Sequence, residues 1–373
     1  MIIISTLFFM YVITIAIFVF GFNKVKEFKP KNLELKTTFT VVIPFRNEAN
    51  NLLKLLESIN ALEYAKNSVE YLFVDDDSID DSCSIIQKFF INNQSNTQVL
   101  KNIRLSNSPK KDAITTALKA SSKEWIITTD ADCVLPKKWL KIIDNFIQQK
   151  DCNMVVAPVT YLANNSFLHQ FQLLDFLSLQ ASTISGFGLQ NPFLCNGANL
   201  AYKKKVFKKV NGFDNNNSIA SGDDIFLLEK FLQFDQPKVA YLKSNEAIVK
   251  TFPTNTFNKL VHQRVRWASK TASYNLLFGK LIGILILFGN SIIALSPLLV
   301  YFQIISSTTA ISYFILKLLI DFILIKKVSH FYNQELSFSM YILSSICYPY
   351  FTLFIFLKST FSSYKWKERT FNQ

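Results

Sequence analysis

Cysteine is sparse: Cys83, Cys133, Cys152, Cys195 and Cys347 are scattered through 373 positions, and no Cys-x-x-Cys pair occurs. This excludes a zinc ribbon and a disulfide framework, and it points to free thiols in a reducing compartment. Acids are in deficit, with 27 Asp and Glu against 40 Lys and Arg, for a net charge of +13. Such a balance favours anionic partners, such as a lipid surface or a nucleotide, and suits the cytoplasmic segments of a membrane protein. No stripe of basic residues interleaved with aromatics lies outside the apolar runs, so nucleic acid is not an expected partner. The amino terminus lacks both a basic stretch before its first apolar run and a small-residue cleavage site, which argues against a cleaved signal peptide.

Apolar residues are plentiful. They make up 50% of the chain, with 36 Phe, and the mean hydropathy is positive, a composition that suits a membrane protein carrying a substantial soluble part. Met1 to Phe22 has about the 20 residues a helix needs to cross a bilayer. Lys24, Lys26, Lys29, Lys31 and Lys36 follow it directly, which sets the following segment on the cytoplasmic side. Leu281 to Phe302, Ile311 to Ile325 and Phe338 to Leu357 are three further candidate spans, with Pro297 expected to kink the first. Lys317 and Asp321, four apart, either neutralise each other within the second span or mark a lipid or substrate path. One anchor and three spans would send the basic tail with Lys358, Lys365, Lys367 and Arg369 outside, against the charge rule, so one segment is expected to be re-entrant or interfacial.

Between the apolar ends, short β-rich runs alternate with helical patterns. Strands are expected at Phe39 to Pro44, Val69 to Asp75, Val99 to Leu105, Trp125 to Asp130 and Met154 to Tyr161. Helices are expected at Ala49 to Ile59, Asp80 to Phe90, Asp112 to Ala120 and Lys137 to Gln149. This rhythm predicts an α/β fold with a mainly parallel sheet, whose ligands bind beyond the C-terminal strand ends. Asn165 to Ser185 reads either as an amphipathic helix on the bilayer surface or as a core helix of the soluble domain. Asn211 to Ser221 reads as a loop.

The chemistry-bearing residues gather at strand ends. Arg46-Asn47-Glu48 follows the first strand, where Asn47 and Glu48 would cap the next helix and the loop could also touch a base or ribose. Five acids among Asp75 to Asp81 close the second, more than a helix cap requires; one of Asp75 and Asp76 is expected to face a ligand, and Ser78 or Asp80 to cap. Lys110 and Lys111 sit at a helix start, where cations oppose the helix dipole, which suggests a nearby diphosphate or a solvated pair. Asp130-Ala131-Asp132 follows an apolar run. In extended backbone both carboxylates would point the same way, a pair that a cation compensates, although turn residues and caps give the same pattern. Asn196-Gly197-Ala198-Asn199 is a flexible loop open to close approach, Asp223-Asp224 opens a helix, and Gln263, Arg266 and Trp267 share a helical face.

Taken in order, strand-end acids, Asp-x-Asp, a late acidic pair and Gln-x-x-Arg-Trp make the chain from Phe39 to Trp267 resemble the membrane-bound family 2 glycosyltransferases, a group that includes cellulose and hyaluronan synthases and lipid-linked sugar transferases. The resemblance implies a GT-A fold, a Rossmann-like nucleotide-diphospho-sugar transferase, flanked by N- and C-terminal transmembrane helices. It implies inverting transfer from a nucleotide-diphosphate sugar to a lipid or glycan acceptor, at a multi-pass cell-membrane protein with a cytoplasmic catalytic domain. Asp224 would then be the general base, with Asp223 beside it. Pro44, Arg46, Glu48, Asp75, Asp76, Lys111, Asp130, Asp132, Gln263, Arg266 and Trp267 would bind the donor. Asn196, Gly197, Asn199 and Trp267 would face the acceptor, and Asp132 with Asp130 would hold Mg²⁺ or Mn²⁺. The expected segments are an anchor 1–23, a GT-A domain 37–275, a membrane region 276–358 of two to three helices, and a basic tail 359–373. Two departures stand out: Asp77 replaces the usual glycine, and Gly222-Asp223-Asp224 replaces the usual Glu-Asp ending. A nucleotidyltransferase on a related fold and a non-catalytic membrane nucleotide-binding or transport protein are the rival readings.

Overall fold

The computed structural model describes residues 1–31, 33–91, 96–217, 219, 221–361, 364–366 and 369–371. The chain forms two compact units. One comprises Met1–Val25, Ala163–Leu194 and Pro253–Gln373; the other comprises Lys26–Leu162 and Cys195–Phe252. Helix α1 (Ile2–Lys24) opens the first.

The second unit is α/β. Its elements begin β1 (Phe39–Phe45), α2 (Ala49–Asn60), β2 (Val69–Asp75), α3 (Ser82–Ile91), β3 (Thr97–Lys101), α4 (Pro109–Ala120), β4 (Trp125–Thr128), α5 (Trp139–Gln149), β5 (Met154–Val156) and β6 (Val159–Tyr161). After α6 (Phe167–Gly188), which belongs to the other unit, come β7 (Leu200–Lys203), α7 (Lys204–Lys209), α8 (Asp223–Asp235), β8 (Val239–Tyr241) and β9 (Val249–Thr251). Seven strands form one sheet in the order β3-β2-β1-β4-β7-β5-β8, and β6 pairs with β9 apart from it. β1 lies parallel to β2 and β4, whereas β7 runs antiparallel to β4 and β5. Continuous apolar runs suit such a sheet, covered on both faces. Val41, Val42 and Ile43 of β1 and Ile126 and Ile127 of β4 are wholly buried, each burial contributing about 1.5–3 kcal/mol. The amphipathic α2 adds Leu52, Leu55, Leu56 and Ile59, spaced as one helical face.

Four expected boundaries move, for reasons the fold makes plain. β3 stops at Lys101 because Asn102 turns inward to bond Asp76 and the carbonyl of Pro109. α4 starts earlier, with Pro109 in its first turn, and Asp112 accepts from the amides of Leu105 and Ser106. β4 ends at Thr128, so Asp130-Ala131-Asp132 forms a turn rather than extended strand, and the same-side geometry expected of the two acids does not apply. The run Met154 to Tyr161 breaks at Ala157-Pro158 into β5 and β6, which join different sheets. Ser218 and Ala220, in the expected loop, and Lys367, in the expected tail, lie outside the described residues.

The helical unit adds α9 (Phe257–Ala268), α10 (Leu277–Tyr301), α11 (Ser307–Phe331) and α12 (Phe338–Phe361), with a short antiparallel pair β10 (Tyr364–Trp366) and β11 (Arg369–Phe371). Among the described residues, four helices, α1, α10, α11 and α12, are long and apolar enough to cross a membrane. The three at the C-terminal end are 24 or 25 residues each, and α10 runs on through Pro297. α6 was expected on a bilayer surface or in the soluble core. It packs within this unit against α1, α11 and α12, buried on most of its circumference, and so is not a core helix of the α/β unit. Backbones of α1 and α6 touch at Gly21 and Gly188, where a Cβ on Gly188 would lie 1.9 Å from the Gly21 carbonyl oxygen. Lys317 and Asp321 do pair, at 2.6 Å, and the Tyr11 hydroxyl donates to the same carboxylate at 2.7 Å.

Candidate active site

The parallel run of β1, β2 and β4, with β7 opposed, brings four strand ends to one edge of the sheet: Phe45 pairs with Asp75, and Thr128 with both Val42 and Leu200. Carbonyl ends of parallel strands are where α/β sheets take ligands.

On the β1–β2 side, Asp76 is buried and accepts from Asn102 Nδ2 at 2.6 Å and from Arg104 Nη1 at 3.2 Å. Arg46 Nη1 donates to the carbonyls of Asp76 and Asp77, both at 2.7 Å, and so fixes the β2 tip. Asp77 has φ 68°, the left-handed region that favours glycine and in which Asp is among the better tolerated side chains. Capping differs from expectation. Glu48 occupies the N-cap position of α2 without a side-chain cap bond and binds Asn51 Nδ2 instead, while Asn47 Oδ1 accepts from the Ile79 amide. Asp80 caps across the chain, accepting from the amides of Ala49 and Ser82. Burial opposes its charge, but those bonds together with Ser82 hydroxyl hold the Asp80 carboxyl below its usual range. Asp75 accepts from the Ser78 amide, so it organises the turn.

On the β4–β7 side lies a cluster of charge. Lys110 Nζ is 2.7 Å from Asp130 Oδ1 and 3.5 Å from Asp223 Oδ2. Burial opposes the charge of this ammonium, yet Asp130 and then Asp223 outweigh it and drive its pKa well up. Asp224 Oδ2 accepts from the Gly197 amide at 3.2 Å and its Oδ1 from the Ile225 amide at 2.8 Å. Asp223 is the first residue of α8 rather than its N-cap, which is Gly222. Burial, then Asp224 and Asp223, push the Cys195 thiol far up, which keeps it neutral.

Four expected site residues take structural places. Lys111, expected near the donor phosphates, is 1% exposed and donates to the carbonyls of Asn216 (2.6 Å) and Ile219 (3.1 Å), with its ammonium 4.6 Å from the Phe226 ring centre. Burial lowers it to about 8. Asn199, expected to face the acceptor, is buried as a strut: Nδ2 donates to the carbonyls of Pro158 and Ala247, and Oδ1 accepts from Trp139 Nε1. Asn196 accepts from the Ala198 amide and shapes the turn, and Pro44 lies within β1 as part of the scaffold. Lys110, expected with Lys111 near a diphosphate or as a solvated pair, meets Asp130 and Asp223 instead, and its signal in the sequence is its position at a helix start.

As for a metal, no group of three or more His, Cys, Asp or Glu gathers to hold an ion among the described residues. Asp130 and Asp132, both half-buried, offer at most two carboxylates. That set fits Mg²⁺ or Mn²⁺ completed by substrate phosphates, which such ions commonly accept, and does not fit a closed all-protein site.

In the helical unit, Gln263, Arg266 and Trp267 lie on α9 as expected, but their organiser is a neighbour. Arg264, buried, binds Asp175 Oδ2 at 2.5 Å, donates to Gln263 Oε1, and stacks its guanidinium 4.2 Å from the Trp267 ring centre. Tyr348 hydroxyl donates to the other Asp175 oxygen at 3.0 Å.

A mixed α/β sheet with acids converging at its carbonyl edge defines a GT-A-like nucleotide-sugar transferase fold. Residues 40–210 match the profile of Glycosyl transferase family 2, and this part of the chain is a family 2 glycosyltransferase domain. Poly(ribitol-phosphate) beta-N-acetylglucosaminyltransferase TarS of Staphylococcus aureus (strain Mu50 / ATCC 700699) is 28% identical over 121 residues, 32% of this chain and 21% of that protein. Poly-beta-1,6-N-acetyl-D-glucosamine synthase of Staphylococcus epidermidis is 25% identical over 225 residues, 60% of this chain and 52% of that protein. The matched stretches thus span about a fifth to a half of these relatives' lengths. Among solved structures, the mannosyltransferase PcManGT from Pyrobaculum calidifontis, in complex with GDP-Man and Mn²⁺, shares the fold with a TM-score of 0.63 at 13% identity, over 96% of this chain and 97% of that one.

Proposed function

We propose that the protein is an inverting glycosyltransferase that moves a sugar from a nucleotide-diphosphate sugar to a lipid or polysaccharide acceptor at the cytoplasmic face of a membrane. The observation that carries the reading is the meeting of Asp130 and the Asp223–Asp224 pair at one sheet edge, linked through Lys110 and the Gly197 amide. Inverting transfer needs these two elements together, an acidic group for the donor and a carboxylate that takes the acceptor's proton.

Asp224 is the general base. Two backbone amides hold its carboxylate in one orientation, which positions it to accept a proton from an attacking hydroxyl. Asp76, set by Asn102 and Arg104, together with Arg46, Glu48 and Asp75 on the neighbouring strand ends, forms the nucleoside side. Asp132 would hold Mg²⁺ or Mn²⁺, which when bound neutralises charge on the departing diphosphate. Gln263, Arg266 and Trp267 keep the donor- and acceptor-binding roles that rest on their motif, Arg266 as a phosphate fork and Trp267 as an apolar platform for a sugar. Along the chain, the anchor 1–23 and the membrane region 276–358 flank the catalytic region 37–275, with the basic tail 359–373 after them. Lys24 at the end of α1 and Lys26, Lys29, Lys31 and Lys36 after it support cytoplasmic orientation.

The test is incubation of membranes containing the protein with a panel of labelled nucleotide sugars, followed by organic extraction and mass analysis of the products. Release of nucleoside diphosphate with a glycosylated lipid or glycan is the expected result. Release of pyrophosphate would identify a nucleotidyltransferase instead, and donor binding without turnover a non-catalytic protein.

A further inference from the structure

Lys110 and Lys111 are adjacent at the start of α4, yet the fold sends them to different tasks. The Lys111 ammonium binds loop carbonyls and the Phe226 ring. The Lys110 side chain, 17% exposed, enters the acid cluster, 2.7 Å from Asp130 and 3.5 Å from Asp223. Gly197 makes that reach possible: a Cβ there would lie 3.3 Å from Lys110 Nζ and 3.2 Å from Asp223 Oδ2, tighter than most side-chain contacts.

We propose that Lys110 is a positioning residue of the transfer reaction, a resident cation that ties the donor-side Asp130 to the base-side Asp223 and leaves the metal-ligand role to Asp132. The proposal rests on the glycosyltransferase reading for the words donor and base. Three acids, Asp130, Asp223 and Asp224, converge on this edge, and like charges that close require a counter-ion. An ammonium already bonded to Asp130 supplies it. The same ammonium repels a divalent cation seeking that carboxylate, so a metal is recruited through Asp132 together with donor phosphates. Lys110 thereby acts on both halves of the site through other residues: it orients Asp130 toward the donor, and through Asp223 it steadies the first turn of α8 that carries Asp224.

The experiment uses the full chain in detergent or nanodiscs, with Lys110→Met, Lys110→Arg, Asp130→Asn, Asp132→Asn and Lys110→Met/Asp130→Asn. Binding of Mn²⁺ alone is followed by its electron paramagnetic resonance signal, and kcat and KM for the donor are measured in parallel. Lys110→Met is expected to tighten Mn²⁺ binding about ten-fold by releasing Asp130 from the ammonium. That gain should vanish in the double variant, and Asp132→Asn should lose Mn²⁺ outright. Turnover of Lys110→Met should fall at least about ten-fold in kcat with a smaller change in KM, and Lys110→Arg should recover most of it because the charge is retained. Unchanged Mn²⁺ binding in Lys110→Met, or Arg performing no better than Met, would overturn the proposal. If the native protein transfers no sugar at all, the functional reading fails, while the Mn²⁺ measurements still decide what Lys110 does.

Discussion

The pair Asp175–Arg264 offers a quantitative test of how the Gln-x-x-Arg-Trp helix is held. Both side chains are almost fully buried, 7% and 6% exposed, and they meet at 2.5 Å. Asp175 also accepts the Tyr348 hydroxyl, and Arg264 in turn contacts Gln263 and Trp267. Replacing Asp175 with Ala strands a buried guanidinium, a change that typically costs about 3–5 kcal/mol, or about 10²- to 10⁴-fold in the folding equilibrium. Removing both charges at once is different, since an apolar pair of similar volume loses the attraction and the desolvation penalty together. Asp175→Leu with Arg264→Met is therefore expected to lie within about 1–2 kcal/mol of the native protein, despite the Tyr348 hydroxyl it leaves without an acceptor. Equilibrium unfolding in mixed micelles, followed by tryptophan fluorescence, would measure both. Trp267, beside Arg264, is one of four tryptophans in the chain, so replacing the other three with Phe in the background makes the probe local. A cost below about 1 kcal/mol for Asp175→Ala, or a double variant less stable than that single one, would refute the claim that this ion pair is desolvated and anchors α9.

Three further outcomes are expected. Asp224→Asn should lower transfer by about 10²- to 10⁴-fold while nucleotide-sugar affinity, read by calorimetry, stays near native; near-normal turnover would remove the base from Asp224. A chelator should abolish transfer and Mn²⁺ or Mg²⁺ restore it, and persistence of full activity in chelator would argue that Lys110 and the Asp cluster work without a metal. Lys111 contributes a pH dependence of definite sign: its pKa falls from about 10.5 in the unfolded chain to about 8 in the fold, so between these values the unfolded chain binds the extra proton. Stability attributable to Lys111 should therefore rise as pH climbs from about 8 toward 10, and the difference in unfolding midpoint between the native protein and Lys111→Met should change across that window and stay flat below it.

Much of the architecture was legible because it rests on local patterns. Apolar runs such as Val41-Val42-Ile43 and Trp125-Ile126-Ile127 can bury both faces of a strand only in a covered sheet, and they appear as β1 and β4. The period of α2 and the lengths of α1, α10, α11 and α12 follow equally from short stretches of sequence. The order of the acids was enough to locate one sheet edge, since strand ends in a parallel sheet must share it. What the sequence could not assign was partnership. Asp80 caps a helix 31 residues before it, Lys110 pairs with an acid 20 residues on, and Arg264 with one 89 residues back. Lys110 and Lys111 are chemically identical and adjacent, and the roughly 100° turn between successive helical positions sends one to the acids and the other to the loop. Asn199, polar and in a glycine-containing loop, looks like a ligand in the sequence and is a buried strut in the fold because the turn Gly197–Asn199 just before β7 places it against Trp139. Side-chain type and spacing along the chain determined which chemistry this protein holds. Which carboxylate meets which cation depends on distances across the fold, and those exist only once the chain has folded.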